Sequence, residues 1–121
     1  MPKFPFFKQY DAMDCGPSCI RMIAAFYGKS YSLQKLRQLA HITREGVSLL
    51  GLSEAAEAIG FRTIGARITF EQLMEAPKPC VVHWDQEHFV VVNKLRKGKV
   101  YVADPAFGLV EYSETEFKKH W

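Results

Sequence analysis

The apolar positions of this chain change period part-way along it. Cys19, Met22, Ile23 and Phe26 recur at helical spacing, which predicts a first helix from about Asp14 or Gly16 to Tyr27. Pro17 suits its first turn, where the missing N–H costs nothing, and Gly28 is placed to close its end. Ser32 reads as the N-cap of a second short helix, with Leu33, Leu36 and Leu39 inward. A third helix is predicted from about Ser48 to Ile59, with Leu49, Leu52, Ala56 and Ile59 on one side and Gly60 as its stop.

Beyond Gly60 the pattern shortens. Phe61 to Ile68 predicts a strand, and Thr69-x-x-Gln72 is a capping-box pattern that opens one or two helical turns to Ala76. After Pro77 and Pro79, strands are expected at Cys80 to Trp84, His88 to Leu95, Lys99 to Ala103 and Leu109 to Tyr112. Lys97-Gly98 supplies the turn between the middle pair. Ser113-x-x-Glu116 is a second capping box, opening a final helix that runs to the chain end near Trp121. Pro2 and Pro5 disfavour helix over residues 1 to 13, which read as an extended lead-in. Helices first and an antiparallel sheet after them predict an α+β fold.

Composition narrows the class. The chain has 121 residues, enough for one domain with a core, so 1–121 is read as a single unit. Apolar residues make up 48% and charged residues 24%, as in ordinary globular proteins. The net charge of +3 is spread along the chain, and its densest basic run, Lys94 to Lys99, falls at the hairpin tip. That argues against a nucleic-acid face, which needs a broader basic surface. The longest apolar runs, such as Phe89 to Val92, are far below the ~20 residues of a spanning helix. The chain start is too short and proline-broken for a signal peptide. Three cysteines cannot all pair internally, which favours a reducing compartment.

Four spaced polar residues carry the candidate chemistry. Cys15 falls at the first turn of helix one, where free N–H groups and the helix dipole stabilise a thiolate. Gly16 is read as leaving room for a substrate backbone beside the sulfur. The plainer reading of Cys15 is a small buried core residue, but a cysteine between Asp14 and Gly16 is an unusual core position. His88 follows the polar loop Asp85-Gln86-Glu87 and heads an apolar strand, so its ring can face a cleft as a base. Its rival, His83, also sits at a strand end; His41 and His120 lie beside helix ends as surface or capping groups. Asp104 ends the next strand and is fixed by Pro105. The hairpin should bring it beside His88, where a carboxylate holds the imidazole and stabilises its charged form. Its plainer reading is an Asp-Pro turn. Gln9 is the candidate oxyanion donor, together with the Cys15 backbone N–H; an exposed glutamine is its plainer reading. Cys15, Cys19 and His88 could be imagined around a metal, but the second closely spaced ligand pair of a zinc site is missing. Cys19 and Cys80 read as core, and no cofactor is expected.

With these residues in place, the chain resembles the N-terminal peptidase domains of bacterial ABC exporters that process bacteriocins and related peptides. The resemblance rests on Gln9, Asp14-Cys15-Gly16, His88-Phe89-Val90-Val91 and Asp104-Pro105-Ala106-x-Gly108, with Tyr27-Gly28 and Gly46-Val47-Ser48-x-x-Gly51-Leu52 in support. It spans Gln9 to Trp121. It implies a papain-like fold and a cysteine peptidase that cleaves leader peptides after a double-glycine motif. In that family's pattern Cys15 is nucleophile, His88 base, Asp104 orienter and Gln9 oxyanion donor. The implied partners are a precursor peptide with a double-glycine leader and the transmembrane and nucleotide-binding, ATP-binding domains of an exporter. The implied place is the cytoplasmic face of the bacterial inner membrane, without insertion by this domain. The family's domain continues past the Phe117 to Trp121 stretch, so the chain is either an excised domain or a stand-alone version.

A double-glycine site offers no side chains to grip. The cleft beside Cys15 should therefore be narrow, with Trp84 helping to exclude bulkier residues; selectivity then needs remote contacts, and the resemblance implies a leader helix docked by its apolar face on a hydrophobic patch. Two other readings stay open: a leader-recognition module that does not cleave, and a papain-like acyltransferase or amidase.

Overall fold

A computed structural model describes residues 4–43, 46–85 and 88–121. The readings made at Pro2 and at Gln86-Glu87 lie outside those residues. From Phe4 to Asp11 the lead-in has no regular structure. A 3₁₀ turn, Ala12–Asp14, then runs directly into helix α1, Cys15–Phe26. That turn is held by a reciprocal box: the Asp11 side chain accepts from the Met13 N–H, and the Asp14 side chain accepts from the Asp11 N–H. Helices α2, Leu33–Leu39, and α3, Leu49–Ala58, follow: Ser32, the expected cap, accepts from the Lys35 N–H, and Ser48 caps α3 by accepting from the Gly51 N–H. Helix α4, Phe70–Glu75, carries the Thr69/Gln72 box.

The second half is a four-stranded antiparallel meander: β1 Cys80–Trp84, β2 His88–Arg96, β3 Lys99–Asp104 and β4 Gly108–Ser113, in spatial order β1-β2-β3-β4. Lys97 and Gly98 both take positive φ, 52° and 77°, as the tight turn between β2 and β3 requires. A register shift between Val92 and Lys94 adds a bulge to β2. Helix α5, Glu114–Lys118, opens on the Ser113/Glu116 box.

The sheet is covered on both faces, which explains the unbroken apolar run at its centre. Phe89 and Val91 turn to one core with Cys19, Met22 and Leu36 of the helices. Their neighbours Val90 and Val92 turn to the other, with Val100, Val102, Phe70 and Phe117. Full burial of one such side chain contributes roughly 1.5–3 kcal/mol. Helix α1 lies across β2, and the buried Cys19 thiol donates to the Phe89 carbonyl at 3.3 Å.

Three expectations need correction. Residues 61–68 do not form a strand. Only Ile64, Ala66 and Ile68 alternate, Ile64 is 93% exposed, and the local polar groups are held elsewhere. Thr63 donates through its N–H and hydroxyl to Glu57, and its hydroxyl also bonds Ser53. Leu49 is exposed rather than inward, because the buried stripe of α3 is Leu52, Ala55 and Ala56, continued by Ile59. Phe26 is exposed too, with its ring against Phe4 and Tyr27 at the surface.

Phe117 is fully buried, with ring centroids 5.2 Å from Trp84, 5.5 Å from Trp121 and 6.0 Å from Phe70. Replacing it with alanine should cost about 3–5 kcal/mol in urea unfolding; a loss under ~1 kcal/mol would mean that α5 is not part of the core.

Candidate active site

The meander fixes the geometry. Pairing Val91 with Ala103 and Val92 with Val102 brings the start of β2 beside the end of β3. His88 and Asp104 meet there: His88 Nε2 donates to Asp104 Oδ1 at 2.7 Å. A carboxylate only accepts, so the proton sits on Nε2. The same oxygen accepts from the Ala106 N–H at 2.9 Å, and the Phe107 N–H donates to the Asp104 carbonyl at 2.9 Å. Asp104 is 2% exposed and is held from two directions.

The remaining ring nitrogen, Nδ1, is left for the thiol. The Cys15 side chain is within hydrogen-bonding reach of His88. The hydrogen bond to Asp104, and next the one to Cys15, push the His88 pKa up to about 9 against an opposing effect of burial. Helix α1 thus carries its thiol to the sheet end that carries the imidazole–carboxylate pair. Cys15 is only 5% exposed. All three cysteines are free thiols. Burial pushes the Cys19 and Cys80 thiols up, in Cys19 with help from the nearby Cys15 and Asp104. Both are therefore poor nucleophiles at neutral pH.

Gln9 reaches the same place by its backbone. Its N–H donates to the Pro105 carbonyl at 2.9 Å, tying the lead-in to the loop after Asp104. Its side-chain Nε2 donates to the Asp11 carbonyl at 2.9 Å, while Oε1 is buried without a hydrogen bond. A primary amide has two N–H groups, so the bond to Asp11 leaves one of them unused.

The cleft itself is open and about 880 Å³ in volume. Its lining includes Gln9, Met13, Val47, His88, Phe107 and His120. Trp84 is part of its wall, but only 3% exposed and stacked on His120 at 4.9 Å. Gly16 plays a different part from the one expected. A Cβ there would collide with Val47 and approach Leu52 to 3.1 Å, so the space is filled by protein. Glycine lets α1 pack closely; it does not leave a slot for substrate.

The other histidines are engaged elsewhere. His83 stacks on Phe89, its cross-strand partner, at 5.1 Å. His41 lies 3.4 Å from Glu54, and His120 bonds Asp85 at 3.0 Å. Among the described residues no group of three or more His, Cys, Asp or Glu side chains could hold a metal ion. No helix among them is long and apolar enough to cross a membrane. The sequence reading missed two features. Asp85, at φ 48°, and His120 pair in the lining of the cleft, and the buried Asp14 forms an ion pair with the partly exposed Arg37. Neither has a local signal, since both depend on how distant elements dock.

A thiol-bearing helix packed on an antiparallel sheet that ends in an imidazole–carboxylate pair is the plan of papain-like cysteine peptidases, and this chain falls in that class. More narrowly, it belongs to the Peptidase C39 family, whose model matches residues 3–121. It is 34% identical over 119 residues to the lactococcin-G-processing and transport ATP-binding protein LagD of Lactococcus lactis subsp. lactis, a match covering 93% of this chain and 17% of LagD. It is 29% identical over 119 residues to the colicin V secretion/processing ATP-binding protein CvaB of Escherichia coli, covering 98% of this chain and 17% of CvaB. The chain thus spans about 17% of the length of these relatives. Among solved structures, a double glycine motif protease from an AMS/PCAT transporter, in complex with the leader peptide, superimposes with a TM-score of 0.93 at 32% identity. That match covers 98% of this chain and 86% of the other. The peptidase domain of Streptococcus ComA, a bi-functional ABC transporter, gives a TM-score of 0.85 at 28% identity, covering 98% and 93%. The α+β, papain-like expectation holds.

The raised His88 pKa has a defined sign. The pair's contribution to stability is fully present below the unfolded value of 6.5 and is lost as pH rises through about 9. An NMR titration of the His88 ring should show a midpoint near 9, and Asp104→Asn should move it down toward 6.5. An unmoved midpoint would separate Asp104 from His88.

Proposed function

We propose that this domain removes double-glycine leaders from precursor peptides, with Cys15 as nucleophile, His88 as base, Asp104 as orienter and Gln9 as oxyanion donor. The observation that carries this reading is the 2.7 Å hydrogen bond between His88 and the buried Asp104, on a ring that also meets Cys15. With a pKa of about 9, His88 already holds at Nδ1 the proton given up by the thiol at neutral pH, and Asp104 stabilises this imidazolium beside the thiolate. Sγ then attacks the carbonyl carbon of the second glycine. The developing oxyanion is held by the Cys15 N–H and the free N–H of Gln9. The imidazolium gives its proton to the departing amine, leaving a thioester that water hydrolyses with His88 again as base.

Glycine specificity follows from access. With Cys15 only 5% exposed, a substrate backbone without side chains reaches the sulfur most easily. The names of the relatives place such domains in secretion and processing proteins with ATP-binding parts. We read 1–121 as one peptidase domain that works beside the transmembrane and nucleotide-binding domains of an exporter, on the cytoplasmic face of the membrane.

Incubation with a double-glycine precursor tests this directly. The wild type should release the leader, and Cys15→Ala should bind the precursor but leave it whole. Cleavage undiminished in Cys15→Ala, or none by the wild type, would reject the reading. Gln9→Ala should lower kcat by roughly 10²–10³ with KM little changed; a change in KM alone would make Gln9 a binding residue instead.

A further inference from the structure

We propose that Arg37 is a positioning residue of this site: by neutralising the buried carboxylate of Asp14, it keeps that charge from opposing thiolate formation at the adjoining Cys15. The inference rests on Cys15 being the nucleophile. Asp14 is the N-cap of α1, a position from which an aspartate ordinarily accepts a hydrogen bond from its own helix. Here it makes no such bond. Its Oδ2 accepts from the Asp11 N–H at 3.3 Å, back along the chain. Its Oδ1 is buried and takes no hydrogen bond, yet Arg37 Nε of α2 stands 3.1 Å away as an ion-pair partner. The Asp14 side chain is 0% exposed, while that of Arg37 is 38% exposed.

A carboxylate taken wholly out of water is costly without a cation. One placed a residue before a nucleophilic thiol has a second effect, since like charge disfavours the thiolate. The groups around Cys15 then balance in pairs. From the sheet, the Asp104 carboxylate is matched by His88. From the helices, the Asp14 carboxylate is matched by Arg37. Cys19 on α1 stays a neutral thiol because burial pushes it up. The remaining wall beside Gly16 is apolar, made of Val47, Leu52 and Phe89. Arg37 is thus the cation that answers Asp14, so that the thiol beside His88 does not face a second, unmatched carboxylate.

The test follows the rate of Cys15 alkylation by iodoacetamide against pH in the full chain. Cys19 and Cys80 are read as internal references by mass spectrometry, and precursor cleavage is measured beside it. Arg37→Gln should raise the pH midpoint of Cys15 alkylation by about one pH unit and lower kcat at pH 7 about tenfold, with KM little changed. The Asp14→Asn/Arg37→Gln double variant should return the midpoint to the wild-type value. A purely structural pair would lower stability in urea without moving the midpoint, and that result overturns the proposal. Should Arg37→Gln fail to fold, Asp14→Asn alone decides: removing the anion while Arg37 stays should lower the midpoint, and an unmoved midpoint overturns the proposal. A wild-type Cys15 that labels no faster than Cys19 and Cys80 would instead sink the nucleophile reading itself. A fast Cys15 with an unmoved midpoint would sink only the role of Arg37.

Discussion

A carboxylate buried at the end of a strand must find partners or be neutralised. Asp104 finds two, the His88 ring at 2.7 Å and the Ala106 N–H at 2.9 Å. This requirement ties fold to chemistry. The β2–β3 register has to bring His88 within reach, and the loop through Pro105 has to turn a backbone N–H back onto the carboxylate. The Gln9 N–H then fastens the lead-in to that loop. Removing either partner leaves a charge or a polar group stranded, so the hydrogen bond that orients the imidazole also holds the sheet end together.

The sheet works as a two-sided platform. One face takes α1, α2 and α3, and the other takes α4 and α5. The cleft draws its walls from both layers, with Gln9, Met13 and Val47 on the helical side and Trp84 and His120 on the other. This position over the sheet end allows a thiol on α1 and an imidazole on β2 to face one another. The close fit of α1 depends on the missing Cβ of Gly16, against which Val47 packs. The Asp-Cys-Gly triplet thus combines three physical demands: a carboxylate paired across to α2, a thiol at a helix start, and a residue small enough for close packing.

Local chemistry made most of this readable from residue order alone. Caps at Ser32, Thr69 and Ser113 bounded three helices, each confirmed by a side-chain hydrogen bond, while Ser48, read only as the start of a helix, proved to be its cap. The Lys97-Gly98 turn fixed a hairpin, and the hairpin implied the meeting of His88 and Asp104. Misreadings came where tertiary contact decides. Phe61 to Ile68 reads as a strand, but local residue choice does not supply a ladder partner, and Thr63 is bonded to Glu57 and Ser53 instead. Leu49 shares the helical phase of Leu52 yet lies where α3 opens onto the cleft. Arg37 carries no local signal, because its partner lies in another element.

The account stands on the convergence of Cys15, His88 and Asp104 around one reacting carbon. A crystal structure of the protein treated with a peptide aldehyde ending in Gly-Gly tests that convergence most directly. The predicted result is a bond from Cys15 Sγ to the aldehyde carbon, with the new oxygen between the Cys15 N–H and the Gln9 amide. The His88 ring should lie between the sulfur and Asp104. An adduct on Cys80, or an adduct on Cys15 with the His88 ring turned away from it, would contradict the account.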